Sequence, residues 1–141
     1  MARADFYQIA KPRFRAEPLR LVCELARKAY EANLWTLILA RDAAQAEALD
    51  DLLWDMGEDI YIPHQIAGSD DEDDLTPVLI AAPDFQAPMR QLVINLRDAP
   101  VDEGFERVLE VVPADDAARG PLRERWKQYQ ARGLALQKHD M

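Results

Sequence analysis

The stretch LWTLILAR, from Leu34 to Arg41, decides the fold class of this 141-residue chain. It is a run of apolar and β-branched residues without the alternation of a half-exposed strand, so it predicts a strand buried on both faces. Amphipathic helical patterns lie directly before and after it. This order of helix, buried strand and helix predicts a three-layer α/β fold, with a mostly parallel sheet and helices on both faces. We place this strand at the centre of the sheet.

Further stretches along the chain have the length and composition of strands. They are Ala4 to Ile9, Tyr61 to Ile66, Pro77 to Ala82, Gln91 to Arg97 and, as the last strand, Phe105 to Pro113. Pro63 places the second of these at an edge of the sheet or at a strand end. A polar loop is expected around Pro12, and the acidic stretch Ser69 to Leu75 is expected to be a solvated loop.

Helices are predicted where apolar residues recur at three- and four-residue spacing. The first opens at Glu17-Pro18, because proline is tolerated in a first turn. The second follows Asp42 as its N-cap and continues through about Met56, with Gly57 as its stop signal. The last continues to about Arg132, and Gly120-Pro121 either breaks or restarts it.

The composition is that of an ordinary globular protein, with 49% apolar and 30% charged residues. The length suits one α/β domain over residues 1–141. No run approaches the ~20 apolar residues of a membrane span, and the N-terminus has no signal-peptide pattern, so we expect a cytoplasmic protein without membrane contact. Cys23 is the single cysteine, which excludes an internal disulfide, and its place in an apolar stripe predicts a buried structural thiol.

Charge is divided unevenly along the chain. The net charge is −9, but residues 118–141 carry six cations and two anions, a balance of +4. Residues 1–117 therefore carry 11 cations and 24 anions, a balance of −13. An acidic body argues against broad binding of nucleic acid, which requires a basic surface. The basic end leaves room for a local site for an anionic ligand.

The motifs of the common nucleotide-binding and hydrolytic sites are missing. The sequence contains no G-x-x-x-x-G-K-[ST], no G-x-G-x-x-G and no G-x-S-x-G. His64 and His139 are far apart, and neither has the spacing of a metal site; His64 is interpreted as a structural hydrogen-bonding residue. We therefore predict no catalytic residue, no cofactor and no metal.

Trp54 lies off the apolar stripe of the second helix, beside Asp50, Asp51 and Asp55. An indole placed among carboxylates on the outer side of a helix has two interpretations. Either the following loop half covers it, or it waits for a partner. The periodicity of the sequence leaves both open.

A row of cations follows the last helix at four-residue steps, namely Arg119, Arg123 and Lys127. If the helix continues through Gly120-Pro121, the three cations stack on one side. This side is either the charged outer face of an amphipathic helix or, because no acids compensate the row and Trp126 is adjacent, a seat for a carboxylate attached to an apolar group.

Five short motifs follow one another along the chain. They are LDDLLW (49–54), IPHQIAG (62–68), PVLI (77–80), LVINLR (92–97) and RERWKQY (123–129). In this order they resemble the chi subunits of bacterial DNA polymerase III holoenzyme, over nearly the whole chain. The segment after Gly133 matches the family pattern poorly.

The resemblance implies an α/β fold of nucleotide-binding-like topology without a phosphate loop and without catalytic activity, although the holoenzyme itself is a DNA-directed DNA polymerase. It implies an accessory subunit that pairs with the psi subunit of the clamp loader. It also implies a contact with the acidic, phenylalanine-ending C-terminal tail of single-stranded DNA-binding protein. Contact with DNA would be indirect.

The resemblance also assigns site residues. The psi contact would use Trp54 and Tyr61, and the tail contact would use Arg123, Trp126 and Lys127. An alternative hypothesis is a small α/β nucleotide-binding module or enzyme of unknown substrate. Another is that a repair helicase takes the place of psi at the Trp54 surface.

Overall fold

The structure, a computed structural model, describes every residue except 1, 57–59, 69–75, 86, 103, 116 and 118. The strands among the described residues are β1 (Arg3–Gln8), β2 (Thr36–Leu39), β3 (His64–Ile66), β4 (Val78–Ala81), β5 (Leu92–Asn95), β6 (Arg107–Val112) and β7 (Ala135–Asp140). The helices are α1 (Pro12–Ala16), α2 (Pro18–Glu31), α3 (Ala43–Trp54) and α4 (Arg119–Ala131). None of the described helices is long and apolar enough to cross a membrane.

The strands form one parallel sheet in the order β3-β4-β2-β5-β6-β1-β7. All four residues of β2 are buried, as the unbroken apolar run predicts. The α/β class is therefore confirmed. The predicted central position is one place off, because β5 is the middle strand and β2 is its neighbour.

Side chains that alternate along the strands form a core on each face of the sheet. On one face, Ile38 of β2 packs in a cluster with Leu21 of α2 and Leu49 of α3. On the other face, Leu37 of β2 belongs to a cluster with Leu122 of α4. Because successive strand residues point to opposite faces, one apolar run supplies both cores.

Helices α2 and α3 lie where the sequence predicts them. Asp42 caps α3 as expected, with its carboxylate accepting a hydrogen bond from the backbone N–H of Gln45 at 2.7 Å.

The segment that begins at Pro12 is helical, so the prediction of a polar loop there is wrong. Phe14 explains the difference, because its side chain is buried in the core and draws this short turn onto the sheet.

Two strand predictions also need correction. The stretch from Tyr61 to Ile66 forms a strand only over its last three residues, although β3 is an edge strand as Pro63 indicated. Phe105 to Pro113 contains β6, but β6 is not the last strand, because β7 follows α4. Strand β7 has few apolar residues and is recruited through pairing of its backbone with β1. The predictions for Gly57 and for Ser69 to Leu75 lie outside the described residues.

Asp5 on β1 is fully buried and ties three strands together. Its carboxylate accepts hydrogen bonds from Arg3 Nη2 at 2.8 Å and from Arg107 Nε, on β6, at 2.6 Å. His139 Nε2, on β7, lies 2.9 Å from Asp5 Oδ1. Burial raises the pKa of the Asp5 carboxyl, but the hydrogen bonds from Arg3, His139 and Arg107 outweigh burial and bring the pKa to about 2.

The low pKa of Asp5 predicts an acid-dependent loss of stability. The carboxylate binds its proton less readily in the folded state, so its contribution is present above pH 4 and is lost as the pH falls toward 2. We expect Asp5→Asn to lower the free energy of unfolding by about 2 kcal/mol at pH 7, and this gap to fall to about half by pH 3. Urea unfolding of both proteins between pH 7 and pH 3 measures the gap. A gap that stays constant over this range would contradict the assignment.

Candidate functional site

Helix α4 begins at Arg119, so that Gly120 and Pro121 are part of its first turn. Pro121 lies in the first turn, where the backbone N–H that proline lacks has no intrahelical partner in any case. Arg119, Arg123 and Lys127 therefore lie on one helix, at the four-residue spacing that stacks side chains on one side. This settles the question that the Gly-Pro pair left open in the sequence.

A cavity of about 460 Å³ lies between α4 and the strands β6, β1 and β7. Its lining residues are Phe6, Gln8 and Val112 from the strands, Leu122 and Trp126 from α4, and the cations Arg119, Arg123, Lys127 and Lys138. The three residues predicted for an anionic tail are thus brought together at one cavity. The sequence did not predict the four strand residues of this site, because they are distant from α4 in the sequence and no local spacing links them to it. They are Phe6, Gln8, Val112 and Lys138.

The cavity combines an apolar interior with a positive rim. Arg123 and Lys127 are both exposed, and neither has an ion-pair partner in the described part of the chain. Lys138 is also exposed and lies 3.9 Å from Asp140. Cations without partners beside an apolar hollow are suited to a ligand that carries carboxylates next to a hydrophobic group.

Aromatic rings form one wall of the cavity. Trp126 is half-buried, and its ring centroid lies 5.1 Å from that of Phe6 at an angle of 58°. Phe6 in turn contacts Tyr129 edge to face, with centroids 6.1 Å apart. These contacts fix the indole of Trp126 in place, so that its exposed side faces a cavity of stable shape.

A buried charge network holds α4 on the sheet. Glu110 on β6 is fully buried, and its carboxylate accepts hydrogen bonds from Arg125 Nη1 at 2.7 Å, Tyr129 Oη at 2.7 Å and Asn95 Nδ2 at 2.9 Å. The Tyr129 oxygen accepts a further hydrogen bond from the backbone N–H of Val101 at 2.9 Å. No local pattern in the sequence indicates this network, since a glutamate inside an apolar strand and an arginine in a basic helix give no separate signal.

Burial dominates the titration behaviour of this network. It raises the pKa of the Glu110 carboxyl, while the charge of Arg125 and the hydrogen bonds from Asn95 and Tyr129 act in the opposite direction. The pKa of Tyr129 is raised by burial and by the negative charge of Glu110. Among the described residues, no buried side-chain nitrogen or oxygen lacks a hydrogen-bond partner, which is the condition for a buried network to stabilise a fold.

A second surface carries exposed aromatic residues. Trp54 is 59% exposed at the end of α3, and Tyr61 is 63% exposed just before β3. Their ring centroids lie 5.8 Å apart, and the indole also contacts His64 edge to face at 4.9 Å. We call Trp54 and Tyr61 the aromatic patch. The indole of Trp54 therefore lies at the surface, in contact with the rings of Tyr61 and His64.

His64 and Cys23 have the structural roles that the sequence indicates. His64 Nδ1 lies 2.7 Å from the carbonyl of Ile62, and Nε2 lies 3.1 Å from the Asp50 carboxylate. Cys23 is buried, and burial raises the pKa of its thiol to about 12, so it is a poor nucleophile. Among the described residues, no group of three or more histidine, cysteine or acidic side chains is placed to hold a metal ion.

The fold resembles solved structures of DEAD-box proteins. The C-terminal domain of the DEAD-box protein Dbp5 superimposes with a TM-score of 0.63 at 14% sequence identity, and the match covers 99% of this chain and 90% of that domain. A DEAD-box protein from Methanococcus jannaschii gives a TM-score of 0.60 at 11% identity, covering 97% of this chain and 41% of that one. The class is therefore a parallel α/β domain with the topology of nucleotide-binding proteins.

Sequence comparison narrows the class to one family. The sequence model of the DNA polymerase III chi subunit, HolC, matches residues 1–137. The DNA polymerase III subunit chi of Pseudomonas aeruginosa is 35% identical, with 99% of this chain and 96% of that protein covered. The subunit chi of Escherichia coli is 33% identical, with 83% and 81% covered. The chain belongs to the DNA polymerase III chi subunit family and is an accessory subunit of the replicase.

Because Glu110 and Arg125 form a buried ion pair, substitutions on the buried and the exposed sides of α4 should change the free energy of unfolding by different amounts. We expect Arg125→Ala to lower the free energy of unfolding by about 3 to 5 kcal/mol, because it leaves a buried carboxylate without its counter-charge. The matched control is Lys127→Ala on the exposed side of the same helix, which should change stability by at most about 0.5 kcal/mol. Urea unfolding measures both variants, and equal losses would show that the pair does not anchor α4.

Proposed function

We propose that this chain is a non-catalytic bridging subunit of the replicase. At one surface it binds the acidic, phenylalanine-ending C-terminal tail of single-stranded DNA-binding protein, and at another it binds the psi subunit of the clamp loader. The cavity that gathers Arg123, Trp126 and Lys127 carries the proposal. No contact of its own with DNA is needed, because single-stranded DNA-binding protein holds the DNA.

The chemistry of the cavity matches such a tail. The terminal ring would enter the hollow beside Phe6 and Trp126, and the carboxylates would meet Arg123 and Lys127 at the rim. The −13 body of the chain repels an acidic peptide elsewhere, so that the basic end is favoured. Each semi-exposed contact between anion and cation contributes roughly 1 kcal/mol and weakens in salt. Micromolar affinity, about −8 kcal/mol, suits a contact that forms and releases during replication.

The aromatic patch supports the second contact. Exposed tryptophan and tyrosine are the residue types that contribute most at protein interfaces. The patch adjoins β3, at one edge of the sheet, whereas the cavity reaches β7 at the opposite edge. Two partners at opposite edges can bind at the same time, which a bridging subunit requires.

The carboxyl edge of the sheet supports a role without nucleotide. In open α/β sheets, nucleotides bind at this edge. Here Arg97 Nε donates to the carbonyl of Ala40 at 3.0 Å, and Arg97 Nη2 donates to the carbonyl of Ala81 at 2.9 Å, at the ends of β2 and β4. Asp42 occupies the start of α3, where its carboxylate repels a phosphate. The positions of Arg97 and Asp42 at this edge therefore support the proposed role without nucleotide.

Titration with a synthetic acidic peptide that ends in phenylalanine tests the tail contact. We expect micromolar binding to the parent protein, and binding about 30-fold weaker when Arg123→Ala and Lys127→Ala are combined, from the loss of two charged contacts. Isothermal titration calorimetry at low and high salt measures both effects.

Two controls accompany this titration. Lys28→Ala removes an exposed cation on α2, on the opposite face of the sheet, and should bind like the parent. A peptide with alanine in place of the terminal phenylalanine should bind more weakly. Equal binding by the double variant and the parent, or no binding by the parent, would refute the tail contact.

Capture of partners from a bacterial extract tests the aromatic patch. We expect the parent protein to retain psi, and the combined change Trp54→Ala and Tyr61→Ala to lose it, with affinity reduced at least about 30-fold. Trp35→Ala is the matched control, because Trp35 is also exposed but lies just before β2, two strands from β3 in the sheet. Capture of a repair helicase in place of psi would support the alternative partner, and retention of psi by the double variant would refute the patch.

A further inference from the structure

Strand β7 presents an unpaired backbone edge beside the cavity. It is six residues long and lies at the end of the sheet, with β1 as its strand neighbour among the described residues. Edge strands of this length usually carry a proline, a bulge or a covering loop that prevents pairing with other chains. The described sequence of β7, ALQKHD, has no proline, and its register with β1 is regular over all six residues.

The register of β7 with β1 defines which backbone groups point outward. The N–H of Ala135 donates to the carbonyl of Ala2, and the N–H of Met141 donates to the carbonyl of Gln8. Because backbone groups alternate in direction along a strand, the odd-numbered residues of β7 face β1. The N–H and carbonyl groups of Leu136, Lys138 and Asp140 therefore face away from the sheet.

The same strand contributes a wall of the cavity. Lys138 lines the cavity with its side chain and exposes the remainder of that side chain to solvent. A peptide whose end lies beside Trp126 and whose preceding residues leave the cavity over Lys138 would thus reach the outer edge of β7. The edge and the cavity are continuous through this one residue.

We propose that the outer edge of β7 is a second part of the same binding site. There, the acidic segment that precedes the terminal phenylalanine of the tail adds to the sheet as an extended strand. This inference rests on the proposed function, because the occupant is the tail whose end lies in the cavity. Backbone pairing suits an acidic segment of variable sequence, since it supplies affinity without requiring particular side chains.

Charge favours the same occupant. The exposed cations Arg123, Lys127 and Lys138 all line the cavity that β7 borders, in the part of the chain that carries +4. An extended acidic segment passing over Lys138 would neutralise these cations as it pairs. A basic or neutral strand would gain the backbone hydrogen bonds without this electrostatic contribution.

Amide hydrogen exchange, followed by NMR on the full chain, tests the inference with two peptides. One is a ten-residue acidic peptide ending in phenylalanine, and the other is its last three residues alone. Both should shift the indole resonance of Trp126. The longer peptide alone should slow the exchange of the Leu136, Lys138 and Asp140 amides, by about tenfold or more.

The outcomes separate the two proposals. A shift at Trp126 without protection of the three amides overturns the edge and leaves the cavity as the whole site. No shift at Trp126 with either peptide overturns both. As an independent check, the longer peptide is N-methylated on alternate residues in two complementary sets. One set should weaken binding by about tenfold and the other should not, and equal affinities for the two would overturn the edge.

Discussion

The buried carboxylate of Glu110 is the constraint on which the proposed tail site depends. Its three donors, on α4 and β5, can reach it only when α4 lies in one position and one rotation on the sheet. With Arg125 and Tyr129 turned inward, the 100° step per residue of a helix turns Arg123 and Lys127 toward the cavity rim. A buried charge that loses one partner is costly, so the network opposes any rotation that would close the cavity.

The sheet separates the two proposed contacts physically. The aromatic patch adjoins β3, and the cavity lies against β6, β1 and β7, so three strands lie between them. The interior strands β4, β2 and β5 are fully buried and closely packed, which makes the sheet a stiff spacer between the two surfaces. Such an arrangement suits the bridging role that we propose.

The likeness to DEAD-box domains concerns the fold, and a shared fold does not imply a shared function. The strand order is that of nucleotide-binding proteins, but Arg97 and Asp42 occupy the carboxyl edge of β2. Function in this family of folds resides in the groups at particular edges and on particular helices. In this chain we propose that those groups are the cations at the cavity and the aromatic rings of the patch.

The sequence by itself determined the buried strands, helices α2 and α3, the cap at Asp42 and the spacing of Arg123 and Lys127. Each is a local pattern whose periodicity or composition is decided within a few residues. Tertiary structure alone decided the cavity floor, the strand β7 and the network around Glu110. Phe6 and Trp126 are 120 positions apart, and β7 is held mainly by backbone bonds to β1. Contacts between distant segments depend on how the whole chain packs, and a local sequence pattern cannot predict them.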